Sequence, residues 1–395
     1  MRRALSTLLA LGLLLLGAPG ATAMSKRSLA RKLAAQMARA GSASSAYVED
    51  LTSGERLYAK RADVSRMPAS NEKLYTSVAA LSQLGNAGSL HTTALATRSL
   101  TINGTLDGNL YLRGEGDPTL STARLEALAQ DLADAGLARV TGHVVGDESA
   151  FDSRRGPPSE GYRPSADVAP LGALMVNRGF DTGRYQADPP KFAAGMLARQ
   201  LRDAGVKVAA AGRAGETPAG ALTLASRRSP SVTSLLKSMN VPSDNYIAEM
   251  LLKAVGMTDS RAGTTARGAA VAERVAEDEL GVTPQMVDGS GLSRSDRTSP
   301  REVVGLLGQM FSDEAFYGSL AIMGVSGTLE DRLRTSPARR RCRGKTGTLT
   351  DVSALSGYCL TDRGDTLAFS ILMNRVNPYG ARQLQDRMVS AIVRF

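Results

Sequence analysis

Met67-Pro68-Ala69-Ser70-Asn71-Glu72-Lys73-Leu74 opens an amphipathic run. Val78, Leu81 and Leu84 follow at helical spacing, and Gly85 supplies a stop. A serine and a lysine three residues apart on such a segment share one helical face, with a hydroxyl beside an amine. Ser70 in the first turn would sit where the helix dipole favours developing negative charge, which suits an activated nucleophile. Taken alone, the pattern is weak. It recurs as Ser234-Leu235-Leu236-Lys237, and a solvated helix face explains a single Ser-x-x-Lys pair far more readily than chemistry does.

The rest of the 395-residue chain narrows the choice. With 43% apolar and 22% charged residues it is globular, with material for two domains or for one domain carrying a large insertion. Arg2-Arg3, an apolar run from Leu8 to Leu16 and the small-x-small triplet Ala21-Thr22-Ala23 form a secretory signal, with cleavage expected after Ala23. The run is short for a membrane span, and the absence of a cysteine there argues against a lipid anchor. The mature protein is therefore expected outside the cytoplasm, periplasmic or secreted, with no transmembrane anchor. The formal charge of +10 becomes +8 without Arg2 and Arg3. In an exported protein this points to anionic wall polymers or lipid headgroups rather than to nucleic acid. His91 and His143 lack metal-ligand spacing and lie in strand-like contexts. No metal site, no cofactor and no histidine base are expected, which leaves lysine as the base of any serine hydrolase here.

In chain order, the patterns predict a helix over 28–39 and a hairpin of 45–51 with 56–60 around Thr52-Ser53-Gly54-Glu55. The Ser70 helix follows. Strands are then predicted over 92–100 and 105–113 about Asn103-Gly104, a helix over 122–135 and a strand over 139–145. Loops fill 152–188, before a helix over 192–201 and a strand over 206–211. Ser229-Pro230 has the form of an N-cap followed by proline at the first helical position, as does Ser299-Pro300. Helices are expected to about 239, through 252, over 262–280 and over 300–312. Strands over 342–349, 353–360 and 366–373 and a helix over 379–393 close the chain.

Two further motifs carry chemistry. Ser243-Asp244-Asn245, directly after the Val241-Pro242 break, can present a hydroxyl and an amide into a cleft or merely cap the next helix. Lys345-Thr346-Gly347-Thr348 lies within a strand, where the glycine marks a close backbone approach and the lysine and threonines could grip a carboxylate. Each is weak alone. In this order, Ser-x-x-Lys, Ser-Asp-Asn and Lys-Thr-Gly form the signature of penicillin-binding proteins and class A β-lactamases. Ser234 is only nine positions before Ser243, too close to belong to the set; Ser70 is 173 positions before it.

The chain resembles the low-molecular-mass class C penicillin-binding proteins, the D-alanyl-D-alanine carboxypeptidase/endopeptidase family S13. The resemblance extends to Gly114-Glu115-Gly116-Asp117-Pro118, to Asp288-Gly289-Ser290-Gly291-Leu292-Ser293-Arg294, and to Gly344–Leu349 leading into Leu355-Ser356-Gly357-Tyr358. It implies an α+β fold. A β-lactamase/transpeptidase-like domain, an antiparallel sheet flanked by helices, would span 24–88 and 229–395, with an inserted α/β domain at 89–228. It also implies a mechanism acting on peptidoglycan stem peptides, with β-lactams as covalent inhibitors. Ser70 attacks the penultimate D-alanine carbonyl, and Lys73, its pKa lowered by Lys345 and by partial burial, is the base. Ser243 relays a proton to the leaving amine, and Asn245 holds the substrate amide and positions Lys73. Lys345, Thr346 and Thr348 bind the terminal carboxylate, and the N–H groups of Ser70 and Thr348 form the oxyanion hole. A β-lactamase and a non-catalytic wall-binding protein are the alternatives. The wide gap between motifs argues against the first and the intact motif residues against the second.

A hairpin centred near Thr350-Asp351 would set Cys342 opposite Cys359. In an oxidising compartment such a pair forms a disulfide; two free buried thiols are the alternative.

Overall fold

The computed structural model describes residues 24–257 and 262–395; the expected leader, 1–23, lies outside the described residues. The larger sheet has six antiparallel strands. Their order is Ala321–Ile322, Cys342–Leu349, Val352–Leu360, Thr366–Asn374, Ser44–Asp50 and Glu55–Lys60. Helices cover both of its faces, so the central strand Val352–Leu360 is buried through its first eight residues instead of alternating with polar ones. Leu355 and Cys359 point into a core shared with helices Lys26–Arg39 and Pro378–Val393, and Tyr358 into the core of the opposite helical layer. Cys342 and Cys359 are directly opposed across the ladder and form a disulfide.

The helix Glu72–Leu84 runs through the middle of the helical layer, buried on every side from Glu72 to Leu81. Three of its buried polar residues are paired: Thr76 Oγ1 donates to Gly289 O (2.8 Å), Ser77 Oγ accepts from Asn240 Nδ2 (2.9 Å), and Tyr75 OH meets Thr298 Oγ1 at 2.6 Å. Gly85, at φ 76°, ends it. Ser70 is not in the first α-helical turn as expected. It occupies a single 3-10 turn, Ala69–Asn71, and the α-helix starts at Glu72.

A separate core is built from buried residues between Ala94 and Val208, with Leu224 and Ala225 packed against it. Its five-stranded sheet, in the order Arg213–Ala214, Val144–Asp147, Leu110–Gly114, His91–Ala96 and Leu222–Arg228, packs against helices Thr122–Asp134 and Pro189–Asp203. The chain enters and leaves this block at one point: Ser229 N–H donates to Leu90 O (2.8 Å) and Leu90 N–H to Ser229 Oγ (3.0 Å).

Two local expectations need correction here. Asn103-Gly104 does make a turn, with Gly104 at φ 70°, but it does not join two full strands of one hairpin. Thr105–Leu106 pairs in parallel with Arg139–Val140, and only Leu110–Gly114 returns to pair with His91–Ala96. The cause is a contact distant in sequence: Gly104 O accepts the N–H groups of Ala138 and Arg139 and draws the turn into the second ladder. Similarly, Ser229 does not cap the helix after it. Its hydroxyl serves Leu90 and Pro230, and Ser231 caps Val232–Asn240 instead. Ser299-Pro300 does open a helix, with a full capping box closed by Glu302.

Candidate active site

Ser70, Ser243, Asn245, Thr346, Gly347 and Thr348 line one cleft of about 490 Å³ between the sheet edge and the helical layer. Lys73 lies beneath it, fully buried one helical turn from Ser70. Its Nζ donates to Ser70 Oγ (3.0 Å), to Asn245 Oδ1 (2.7 Å) and to the Ser290 carbonyl (2.6 Å). Lys345 is buried too, and its Nζ donates to Ser243 Oγ (2.7 Å) and to Thr346 O (3.0 Å). Each lysine thus serves one serine hydroxyl facing the cleft. The competing pair, Ser234 and Lys237, is exposed on the helix Val232–Asn240, where Ser234 meets the capping Ser231. It is a solvated helix face.

The backbone explains why these residue types occupy these positions. The strand Cys342–Leu349 is covered by Ala321–Ile322 only at Arg343 and Gly344, so from Lys345 onward its outer edge is free of that partner. Gly347 lies against the serine turn: a Cβ there would come 2.6 Å from Pro68 O and 3.0 Å from Ser70 N. Gly291 presses on the same turn from the other side, where a Cβ would meet Ala69 O at 2.0 Å. Pinched between these glycines, Ala69 takes φ 47°, and Ser243 takes φ 65°. Such left-handed conformations are costly for residues with a side chain and persist where surrounding contacts impose them.

Burial dominates the electrostatics. Lys73 falls from its ordinary range to about 8 because burial disfavours its charged form, against the pull of Asp288, Glu249, Asp244 and Glu72. The expected role of Lys345 in lowering it is reversed. The mutual repulsion of the amines shows at Lys345, which burial first and Lys73 second hold well below the usual lysine range. Under Lys73 sits a layer of buried carboxyls: burial pushes Glu249 up to about 8 and Asp296 up to about 9, and raises Glu72 and Asp288 as well. Glu249 accepts the N–H groups of Gly289 (3.1 Å) and Ser290 (2.9 Å), and so aims the Ser290 carbonyl at Lys73.

The profile of the D-Ala-D-Ala carboxypeptidase 3 (S13) family matches residues 26–188 and 180–394. The chain belongs to this family. A D-alanyl-D-alanine carboxypeptidase of Actinomadura sp. is 30% identical, covering 90% of this chain and 82% of the relative. The D-alanyl-D-alanine carboxypeptidase DacB of Haemophilus influenzae is 26% identical, covering 81% and 82%. Among solved structures, penicillin-binding protein 4 (dacB) from Haemophilus influenzae matches with a TM-score of 0.76 at 22% identity, covering 92% of this chain and 98% of that one. Bd3459, a predatory peptidoglycan endopeptidase from Bdellovibrio bacteriovorus, matches at 0.58 and 16%, covering 88% and 92%. At these identities the structural likeness concerns the fold, an α+β transpeptidase-like architecture with an antiparallel sheet flanked by helices.

The S13 chain also brings to the cleft residues that motif reasoning missed. Thr328, Asp331, Arg332 and Arg382 form its far wall. Thr346 Oγ1 donates to Thr328 Oγ1 (2.7 Å), and Arg382 Nη2 donates to Thr348 Oγ1 (3.2 Å). From the separate block, Asp167 O accepts from Asn245 Nδ2 (3.3 Å) and Arg178 pairs with Asp244 at 2.8 Å, which tethers the Ser243-Asp244-Asn245 turn. Ser290 and Gly291 had a sequence signal, since they fall in the Asp288–Arg294 phrase on which the family resemblance drew. Arg178, Asp167, Arg332 and Arg382 had none.

Proposed function

We propose that this S13 chain is a serine-type D-Ala-D-Ala carboxypeptidase that binds penicillin and cleaves peptidoglycan stem peptides, and D,D cross-links by the same route, through an acyl-enzyme on Ser70. The observation that carries this reading is the hydrogen-bond arrangement at Lys73. A neutral amine keeps two N–H groups and one lone pair. Asn245 Oδ1 and Ser290 O take the two N–H groups, at 2.7 and 2.6 Å, so the lone pair falls to Ser70 Oγ at 3.0 Å. Neutral Lys73 is thereby oriented to accept the Ser70 proton as Oγ attacks the carbonyl of the penultimate D-alanine.

Ser243 accepts from Lys345, which leaves its own O–H free to pass a proton to the departing amine. Asn245 holds Lys73 and faces the substrate amide. Thr346 and Thr348 present hydroxyls to the terminal carboxylate, with Lys345 behind them. The N–H groups of Ser70 and Thr348 suit an oxyanion hole, because Gly347 keeps the strand and the serine turn in contact. A donor of this kind supplies roughly 3 kcal/mol of transition-state stabilisation. Water then releases the acyl group. We assign 24–88 and 229–395 to the penicillin-binding domain and 89–228 to an inserted α/β domain that braces the Asn245 turn. Action on stem peptides places the mature protein outside the cytoplasm, and no described helix is long and apolar enough to cross a membrane.

Incubation with benzylpenicillin followed by peptide mass spectrometry tests the assignment. The expected adduct is on the Ser70 peptide, together with D-alanine release from a D-Ala-D-Ala peptide. An adduct on Ser234, or no adduct on folded protein, overturns it; rapid nitrocefin turnover would indicate a β-lactamase instead.

A further inference from the structure

The cleft offers the substrate two threonine hydroxyls and, beneath them, a lysine whose amine is already engaged. Lys345 Nζ is buried and already donates to Ser243 Oγ and Thr346 O. A carboxylate drawn out of water toward hydroxyls alone would be poorly compensated. A permanent cation on the cleft wall would compensate it, and two guanidinium groups are there.

Arg332 is committed. Its side chain is 12% exposed and pairs with Asp386 at 2.7 Å, while Nη2 also donates to Gln385 Oε1 (3.2 Å). Arg382 differs. It is exposed, it pairs with no carboxylate among the described residues, and its guanidinium donates from Nη2 to Thr348 Oγ1 (3.2 Å). A guanidinium has five N–H donors, so most of its fork is unspent. Its backbone is held in place as well. Arg332 Nη2 donates to Arg382 O (3.3 Å), and Gln385 Nε2 in the next turn donates to Ser353 Oγ (3.1 Å) on the strand paired with Lys345–Leu349. The cation is thus anchored beside Thr348 while its charge faces the cleft.

We propose that Arg382 is the specificity-determining residue that recognises the free α-carboxylate of the departing D-amino acid, acting together with Thr346 and Thr348. Arg332 is its positioning residue, through the carbonyl of Arg382 and through Asp386. The proposal rests on the D,D-peptidase assignment above and deepens it. The enzyme then discriminates substrates by charge at the end of the leaving group: an acid engages the guanidinium fork, and an amide of the same shape does not.

The test uses the mature enzyme with two peptides ending in D-Ala-D-Ala, one with a free C-terminal carboxylate and one with a C-terminal amide. Wild type should prefer the acid in kcat/KM. Arg382→Ala should lose on the order of 10- to 100-fold on the acid, the range for a hydrogen bond to a charged group, and change little on the amide, so that the preference collapses. Arg382→Lys, which keeps the charge but not the fork, should retain part of the preference. An Arg382→Ala enzyme that loses activity equally on both peptides, or that keeps the wild-type acid-to-amide ratio, overturns the proposal. Failure of the D,D-peptidase assignment is distinguishable, because wild type would then turn over neither peptide and form no penicillin adduct on Ser70.

Discussion

Raising the pH from 6 to 8 should accelerate acylation of Ser70 by about fiftyfold. The perturbed group is Lys73, which burial lowers to about 8. Only the neutral amine has a lone pair for the Ser70 proton, and that form grows as pH rises through the folded pKa. With a pKa of about 8, roughly 1% of the enzyme carries neutral Lys73 at pH 6, about half at pH 8 and about nine-tenths at pH 9. The rate should therefore climb about tenfold per pH unit at first and level off above 8. An exposed lysine, with its pKa near the ordinary 10.4, would still be climbing at pH 9. The assay is stopped-flow acylation by a chromogenic cephalosporin under single-turnover conditions, which isolates the first chemical step. Lys73→Arg is the control, because a guanidinium cannot deprotonate in this range and the rate should fall by roughly 10²- to 10⁴-fold. A profile that is flat between pH 6 and 8, or a Lys73→Arg enzyme that acylates at the wild-type rate, would refute the base assignment and the burial argument behind it.

Three further outcomes follow from other parts of the fold. Gly347→Ala forces a methyl group to within 2.6 Å of Pro68 O and 3.0 Å of Ser70 N, so it should displace the nucleophile and slow acylation about a hundredfold while circular dichroism stays native; wild-type acylation would contradict the close approach. Asp296 keeps its proton in the folded protein up to about pH 9, whereas the unfolded chain releases it near pH 4. The folded state thus binds the extra proton, and this contribution to stability is lost as pH rises through that window. Asp296→Asn cannot titrate, so urea unfolding should show its stability gaining on wild type by about 2–3 kcal/mol between pH 7 and 9; parallel curves would refute this. Finally, Cys342→Ala with Cys359→Ala opens a loop of sequence separation 17 and should lower the unfolding free energy by about 3 kcal/mol, read by urea denaturation of oxidised protein. An unchanged midpoint would show that the bridge adds nothing.

Local signals were legible where local physics decides. Gly85 stops the central helix because its backbone needs φ 76°, and Ser299-Pro300-x-Glu302 caps a helix with groups only three residues apart. The strands Val352–Leu360 and Thr366–Asn374 were readable because each is a compact, mostly apolar run between turns, and the register that opposes Cys342 to Cys359 follows from one short connection. The failures occurred where a distant partner competes. The turn at Gly104 is claimed by Ala138 and Arg139, and the hydroxyl of Ser229 is claimed by Leu90.

At the cleft the same division holds. The order and spacing of Ser70-x-x-Lys73, Ser243-Asp244-Asn245 and Lys345-Thr346-Gly347 singled out Ser70 over the decoy at Ser234, because Ser234 lies only nine positions before Ser243 and Ser70 lies 173 before it. Order and spacing are read along the chain, and sequence by itself determined them. What lowers the Lys73 amine, and so fits it for the proposed role of base, was decided only by the tertiary structure. Its environment is a sum over groups far apart in the chain: the Ser290 carbonyl, Asn245 Oδ1, the carboxyls of Glu249 and Asp288, and a helical layer that excludes water. The same is true of Arg382, which reaches Thr348 from the last helix. Burial and charge act through space, so no pattern along the chain records them until the fold has brought their sources together.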